Sequence, residues 1–219
     1  MIANISGTIL YIFSLLVYRT CRFHISGLDQ LDLIKASGDP VIITSWHGMT
    51  MMVAGFLRRH LDITNFAVIM PDDHRGDALE VFALKLGVNP IPMNLADDST
   101  LGMGRKLVGL LKAISSGKNF LIHPDGPAGP AYRVKPGLSY IARKTGTKIL
   151  PMGCYCRHAY HIPRWDCYTL PLPFSKVHIQ LGSLITIPKD ASNLDEVNRS
   201  LENVLNRLTA QATANYYEL

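Results

Sequence analysis

The chain has 219 residues, a length that suits one domain with at most a short appendage. Hydrophobic residues make up 47% of it and charged residues only 18%. Soluble proteins typically carry about 25% charged residues, so this composition excludes a disordered chain and a coiled coil. The net charge of +5 suits a negatively charged partner. Four cysteines are too few for a disulfide framework, so a reducing compartment is expected.

The first segment, residues 1–18, carries no charged side chain, and Arg19 and Arg22 follow it. As a helix it would be about 27 Å long, just short of the roughly 30 Å hydrocarbon core of a bilayer. Its residues divide between a small or polar face and an aliphatic face: Asn4, Gly7, Tyr11, Ser14 and Tyr18 against Ile5, Ile9, Ile12, Phe13 and Leu16. This pattern predicts a helix with one side in lipid and the other on protein, which also leaves room for a membrane-protein partner.

The segment therefore either barely spans the bilayer or lies in its interface, and a buried core helix is the alternative. A cleaved signal peptide is disfavoured, because no basic residue precedes the apolar run. If the helix spans, Arg19 and Arg22 favour a main domain on the cytoplasmic side. We accordingly divide the chain into a membrane-associated helix, 1–25, and a main domain, 26–219.

Beyond this helix, short apolar runs alternate with stretches of helical periodicity. The predicted strands are 40–46, 66–70, 88–93, 119–123, 148–155 and 177–181, and the predicted helices are 77–86, 101–115, 136–145 and 194–208. Strands that are apolar on both faces are typical of a sheet covered by helices on both sides. The sequence thus predicts an α/β fold with a mixed, largely parallel central sheet flanked by helices.

Polar residues follow three of these strands. The first strand ends in Ser45-Trp46-His47-Gly48, the second leads into 71–77, and the fourth leads into a glycine- and proline-rich segment, 125–137, here called the proline-rich loop. Because ligands bind beyond the carboxyl ends of parallel strands, we expect these three segments to share one rim. His47 is then a candidate general base if a carboxylate lies within reach. Arg133 and Lys135 precede a predicted helix and form a natural anion site.

A metal site and a nucleic-acid site are both disfavoured. Cys154, Cys156 and Cys167 lie near His158 and His161, but there is no C-x-x-C pair, and free cysteines are commonly buried in strands. The basic residues are scattered and are not interleaved with aromatic residues, which argues against nucleic acid as a partner.

Several of these runs, taken in order, resemble the motifs of a known family. They are Ser45-Trp46-His47-Gly48, His74-Arg75-Gly76-Asp77, the run PDGPAGP at 124–130 and the run VKPG at 134–137. The order and content are similar to the lysophospholipid acyltransferase-like superfamily, and most similar to a bacterial branch still named as a domain of unknown function. The run 164–176, which begins Arg164-Trp165-Asp166, also resembles that branch. The resemblance covers about 26–188.

The resemblance implies a glycerolipid acyltransferase-like fold and transfer of a fatty acyl group from a thioester to a lipid hydroxyl. The family's histidine corresponds to His47. The superfamily usually carries an aspartate five positions later, where this chain has Met52. The branch tends to have His-Arg-Asp-Gly where Gly76 and Asp77 stand exchanged, a serine-rich segment with an arginine at 94–100, and an arginine where Ala128 stands.

We therefore predict that His47 acts as the base and that Asp77, or failing that Asp73, holds its ring in the right tautomer. Asp125 and the backbone of 126–129 would position the acceptor, and Arg133 and Lys135 would attract a phosphate. The predicted site is catalytic His47 and Asp77, with Asp125, Gly126, Pro127, Gly129, Arg133 and Lys135 binding substrate. No metal or bound cofactor is expected; acyl-CoA or acyl carrier protein would be the co-substrate, and membrane lipid and an anionic membrane surface the partners.

Two other functions fit the same residues. The departures at Met52 and Ala128 suit a catalytically degenerate protein of the same fold that serves as a lipid-binding or membrane-assembly subunit. A soluble hydrolase is the third candidate, and it would stay soluble and active without the N-terminal helix.

Overall fold

Strands and helices alternate along the chain as the sequence predicts. The computed structural model describes residues 2–74, 76–93, 108–114 and 116–218. Arg75, the segment 94–100 and the first part of the predicted helix 101–115 lie outside the described residues. The helices are α1 (Ile2–Thr20), α2 (Asp29–Ser37), α3 (Thr50–His60), α4 (Asp77–Leu86), α5 (108–114 within the described residues), α6 (Pro136–Thr145) and α7 (Leu194–Glu218). The strands are β1 (Arg22–Ser26), β2 (Val41–Thr44), β3 (Phe66–Pro71), β4 (Asn89–Met93), β5 (Asn119–Ile122), β6 (Lys148–Tyr155), β7 (Ala159–His161), β8 (Thr169–Pro171) and β9 (Lys176–Leu181).

One sheet organises the described part of the chain, with the strand order β1-β9-β6-β2-β5-β3-β4. β6, β2, β5, β3 and β4 run parallel to one another, while β9 pairs antiparallel with β6 and carries β1 parallel to itself. The predicted α/β fold with a mixed, largely parallel sheet is therefore confirmed. β7 and β8 form a separate antiparallel hairpin beyond the end of β6.

The apolar runs explain why the central strands are buried on both faces. Val41 and Ile43 point into one hydrophobic cluster and Ile42 into another, as the alternation of side chains along a strand requires. All three are at most 2% exposed. Helices cover both faces, with α7 packed on β6 and β9. α7 extends past the predicted end at 208, because Ala212 and Tyr216 continue the buried face at intervals of four residues.

β1 was not predicted, and the predicted division at residue 25 falls inside it. Helix α1 ends at Thr20, and the strand Arg22–Ser26 belongs to the main sheet. Among the described residues, this strand lies at the edge of the sheet and pairs with β9 alone. An edge strand needs no continuous apolar run, so its polar sequence, RFHIS, carried little signal.

Helix α1 packs on α3 and α4 through its small-residue face, and its aliphatic face is open. Gly7 makes this packing close: a Cβ atom there would lie 2.5 Å from the carbonyl oxygen of Ala78. Gly7 and Ser14 are buried. The exposed stripe on the other side consists of Ile2, Ile5, Ile9, Ile12 and Leu16, each between 43% and 78% exposed. By length and composition α1 is apolar enough to cross a membrane, with a mean hydropathy of 1.4.

Candidate functional site

The polar segments that follow β2, β5 and β3 leave the sheet at the same rim, as expected from parallel neighbours. β5 lies between β2 and β3 and pairs parallel with both. The carboxyl ends of these strands therefore point the same way. The segment after β2 carries His47 in a short 3-10 turn, and the segment after β5 carries His123 and Asp125.

The centre of the site is a hydrogen-bonded pair of His47 and Asp166. The Nδ1 atom of His47 lies 2.7 Å from Oδ2 of Asp166. The Asp166 side chain is fully buried, whereas the His47 side chain is 26% exposed. Arg164 holds the same carboxylate with two bonds, from Nε to Oδ1 at 3.2 Å and from a terminal nitrogen to Oδ2 at 2.9 Å. Burial raises the pKa of Asp166, but the bonds from His47 and Arg164 outweigh burial, and the pKa lies below its ordinary value.

Asp166 reaches His47 from a turn that sequence periodicity does not reveal. It lies in the segment between β7 and β8, here called the hairpin loop (residues 162–168), which closes with a bond from the Ile162 N–H to the Tyr168 carbonyl. The loop folds over the turn that holds His47, so closely that a Cβ atom on Gly48 would run into the Asp166 carbonyl oxygen. Glycine at position 48 therefore permits the pairing. The one available signal was the resemblance of the run that begins at Arg164.

The expected carboxylate, Asp77, is not the one bonded to Nδ1 of His47. Asp77 is the exposed first residue of α4, which follows β3. Since β5 separates β3 from β2, the ends of these two strands lie about 10 Å apart. The chain reaches His47 instead from the opposite side, because the hairpin loop extends from β6, the other neighbour of β2. Position 52, where the superfamily usually carries the aspartate, holds a Met52 side chain that is only 1% exposed and belongs to the core.

Asp125 is a clamp between two loops. Its Oδ1 accepts the backbone N–H of His47 at 2.9 Å, and its Oδ2 accepts the backbone N–H of Tyr132 at 3.3 Å. Burial raises the pKa of Asp125, and the two backbone donors work in the opposite direction. The carboxylate predicted to position the acceptor thus bonds the protein's own backbone and fixes where His47 lies.

The proline-rich loop packs against the ring of His47 and against Trp165, which lies beside that ring. A Cβ atom on Gly126 would lie 3.0 Å from Cδ2 of His47, so a larger residue would press on the ring. Gly129 lies against Trp165, whose ring is in turn 5.4 Å from that of His47. Pro127 is exposed. The N–H groups of Gly126 and Gly129 are used inside the loop, bonded to the carbonyls of His123 and Asp125.

The two basic residues predicted to bind phosphate hold this loop in place. Arg133 forms an ion pair with Glu202 of α7 at 2.8 Å, and the same glutamate accepts the Val134 N–H. Lys135 donates from Nζ to the Gly126 carbonyl at 3.1 Å. Arg133 keeps 69% of its side chain exposed. Lys135 keeps further donors, because an ammonium has three.

His123 is a second imidazole of the site, to which sequence reasoning assigned no role. Its ring lies edge-on to that of His47, with 5.4 Å between the centroids. Its surface is only partly covered, but both ring nitrogens face protein: Nδ1 lies 3.0 Å from the Ser45 carbonyl and Nε2 lies 3.1 Å from the Thr50 hydroxyl. Burial, with a smaller effect from His47, lowers the pKa of His123 to about 3. The ring is therefore neutral at physiological pH.

A small cavity lies beside Asp166. A cavity of about 30 Å³ lies between the turn that carries Gly48, the clamp Asp125 and the hairpin loop, and Trp46 and Tyr132 also line it. That volume holds about one water molecule. Among the described residues, no group of three or more His, Cys, Asp or Glu side chains is placed to hold a metal ion.

Comparisons with known proteins bear on the fold. No family model matches the chain. The chain is 27% identical over 209 residues to an uncharacterized protein, RP090, of Rickettsia prowazekii (strain Madrid E), covering 93% of each. Its structure is similar to that of the 1-acyl-sn-glycerophosphate (LPA) acyltransferase PlsC of Thermotoga maritima, with a TM-score of 0.62, 16% identity, and coverage of 94% of this chain and 79% of the other. The resemblance to the acyltransferase-like superfamily is thus supported at the level of the fold.

Proposed function

We propose that the protein is a membrane-associated acyltransferase that moves a fatty acyl group from a thioester to the hydroxyl of a lysophospholipid-like acceptor. One observation carries this proposal: His47 is bonded through Nδ1 to a buried, ionised carboxylate. With its proton on Nδ1, the ring presents an unprotonated Nε2, which is the form a general base requires. The pair lies at the carboxyl end of the sheet, where such folds place their chemistry.

In the proposed reaction, Nε2 of His47 takes the proton of the acceptor hydroxyl. The hydroxyl oxygen attacks the thioester carbonyl, a tetrahedral intermediate forms, and the carbon–sulfur bond breaks as the carbonyl is restored. The departing thiolate takes the proton back from the imidazolium, so the ring returns to its starting state. Asp166 stabilises the positive charge that the ring carries meanwhile, and Arg164 positions Asp166. Asp166 thus takes the role first predicted for Asp77.

The remaining predicted residues act on position. Asp125 fixes the backbone of His47, and the loop containing Gly126, Pro127 and Gly129 forms the wall against its ring. Arg133 and Lys135 anchor that loop, and their exposed or uncommitted N–H groups are the candidates for contact with a phosphate. The co-substrate is a thioester of coenzyme A or of acyl carrier protein, and the reaction as proposed uses no bound cofactor.

The exposed stripe of α1 supports a membrane location. Its aliphatic side chains, once in lipid, would each gain about 1.5–3 kcal/mol. The lysophospholipid-like acceptor of the proposed reaction resides in the bilayer, so a protein held there by α1 meets it directly. Basic residues follow the helix, which favours a main domain on the cytoplasmic side.

The second candidate is the degenerate lipid-binding or assembly subunit, and one observation favours it. The cavity beside Asp166 has room for about one water and none for an acyl chain. An acyl chain bound in that cavity would require the hairpin loop to move. A subunit without catalysis needs no such movement.

Turnover distinguishes these functions. The full-length protein, with its native lipid, is assayed for thiol release from acyl-CoA and from acyl carrier protein thioesters with a panel of lysophospholipids. We expect turnover that falls at least about 100-fold in His47→Ala with folding intact, since a general base contributes about 10²–10⁴-fold. Near-normal turnover in that variant would remove His47 from the mechanism. No turnover with any pair, together with a co-purified membrane protein and no acyl lipid by mass spectrometry, would support the assembly subunit.

A further inference from the structure

A second cavity, separate from the histidine site, lies where β1 and β9 begin. Its volume is about 330 Å³, within the range of small-ligand sites. Basic, aromatic and hydroxyl side chains line it: Arg22, Arg157, His158, Phe174, Ser175, Lys176, Tyr216 and Tyr217. None of these eight residues is acidic. We refer to it as the basic cleft.

The cations of the cleft are available to a ligand. Among the described residues, no ion pair is recorded for Arg22, Arg157 or Lys176, and the two arginines are exposed. Lys176 is held in place by Tyr216. Its Nζ donates to the Tyr216 backbone carbonyl at 3.0 Å and lies 4.5 Å from the centre of the Tyr216 ring. An ammonium has three donors, so this bond leaves others for an anion. Two guanidinium groups beside a fixed ammonium are a set of donors typical of phosphate recognition.

The cleft adjoins the end of the apolar helix. The Phe174 N–H donates to the Thr20 hydroxyl at 3.2 Å, and the Cys21 thiol lies 3.3 Å from the Leu172 carbonyl. The segment that forms one wall of the cleft is therefore bonded to the residues at which α1 ends. Phe174 is 73% exposed and Leu172 is 48% exposed. Exposed apolar side chains beside unpaired cations are the composition of a surface that meets lipid headgroups.

The cleft and the histidine site open at the same rim of the sheet. β9 runs antiparallel to β6, so the start of β9, with Lys176, lies beside the end of β6. β1 is parallel to β9, which places Arg22 at the same edge. β6 is parallel to β2, whose end leads to His47. A bilayer that contacts the cleft would thus face the rim that carries the proposed base.

From these observations we propose that the basic cleft binds the phosphate of an anionic membrane lipid and orients the protein on the bilayer. Its size suits a phosphate with a small headgroup, and the acyl chains of such a lipid would lie along α1 and Phe174. The proposal concerns binding and does not depend on acyl transfer, so His47→Ala should leave it unchanged.

The test is vesicle binding by the full-length protein and two double variants of equal net charge. Arg22→Gln/Arg157→Gln removes two cations of the cleft, and Lys189→Gln/Arg199→Gln removes two exposed cations elsewhere. Arg199 precedes Tyr216 by 17 residues of α7, about 25 Å along the helix. The vesicles consist of phosphatidylcholine alone or of phosphatidylcholine with phosphatidylglycerol.

We expect the wild type to bind vesicles with phosphatidylglycerol more tightly, and the cleft variant to lose about 25-fold of that affinity, from about fivefold per basic residue. Its binding to phosphatidylcholine alone should be unchanged, because α1 is intact. Equal losses in the two double variants would mean that diffuse charge attracts the protein, and would overturn the proposal. If coenzyme A displaces the protein from vesicles as effectively as phosphatidylglycerol does, the cleft binds the acyl donor, and the proposal is also overturned.

Circular dichroism shows whether the cleft variant folds. If it does not, a second variant tests the proposal. Glu218 is exposed and follows Tyr217 at the cleft. Glu218→Gln removes a repulsive charge, so binding to phosphatidylglycerol vesicles should tighten several-fold. Unchanged binding in that variant would contradict a phosphate in the cleft.

Discussion

Asp166→Asn is the substitution that most directly tests how the site works. Three N–H donors meet the two oxygens of Asp166: Nδ1 of His47 at 2.7 Å, and two nitrogens of Arg164 at 2.9 and 3.2 Å. An asparagine keeps one oxygen and replaces the other with an NH₂ group. In one orientation this group faces His47 and moves the ring proton to Nε2, which leaves no base. In the other orientation the NH₂ group faces Arg164, so that two N–H donors point at each other with no acceptor between them.

The expected losses follow from these contacts. The wrong tautomer and the missing negative charge should lower turnover by about 10²–10⁴, the larger figure being the approximate cost of the corresponding change in a serine-protease triad. A factor of 10² corresponds to about 2.7 kcal/mol of transition-state stabilisation. The NH₂ group of the asparagine would be a buried donor without an acceptor, so the free energy of unfolding should fall by about 1–3 kcal/mol.

Turnover is measured by thiol release, and unfolding by denaturant titration, at neutral pH. Asp77→Asn is the matched control, since it makes the same chemical change at the carboxylate first predicted from sequence. Asp77 is an exposed residue at the start of a helix, so Asp77→Asn should lower the free energy of unfolding by at most about 1 kcal/mol and should change turnover little. A collapse of turnover in Asp77→Asn, with normal turnover in Asp166→Asn, would refute the assignment.

Two further predictions concern helix α1 and His123. The double variant Ile9→Glu/Ile12→Glu should lose about 3–6 kcal/mol of the free energy of transfer into lipid, and the protein should then leave vesicles. Leu33→Glu changes a similarly exposed residue on α2 and should not release the protein. If the double variant stays on vesicles in a flotation assay, the stripe does not enter lipid. The folded-state pKa of His123 lies near 3 and the unfolded value near 6.5, so the unfolded chain binds the extra proton between these values. The stabilising effect of the neutral ring is complete above pH 6.5 and falls by up to about 1.4 kcal/mol per pH unit as pH drops toward 3. Urea titrations from pH 7 to pH 4 should show a shallower decline in stability for His123→Asn, and identical slopes would contradict an imidazole that the fold keeps neutral.

Much of the fold could be predicted because its elements carry strong local patterns. The buried strand at 41–44 is a continuous β-branched run, and α6 begins at Pro136 and ends before Gly146, whose φ of 71° only glycine adopts without strain. The edge strand β1 and the short strands of the hairpin carry no such pattern, since they are paired on one side or lie mostly at the surface. Their place in the structure follows from neighbours distant in the sequence.

For the candidate site, the amino-acid sequence alone predicted His47 and Asp125, because glycine, proline and polar residues at the ends of apolar strands are typical of the rim of a parallel sheet. It also determined the two-faced character of the first helix, which is a property of 3.6-residue periodicity. Only the tertiary structure decided which carboxylate bonds to the imidazole. Asp166 lies 119 residues after His47 and arrives on a loop packed over Gly48. Such a contact depends on how strands and loops pack together, and no spacing within the chain encodes it.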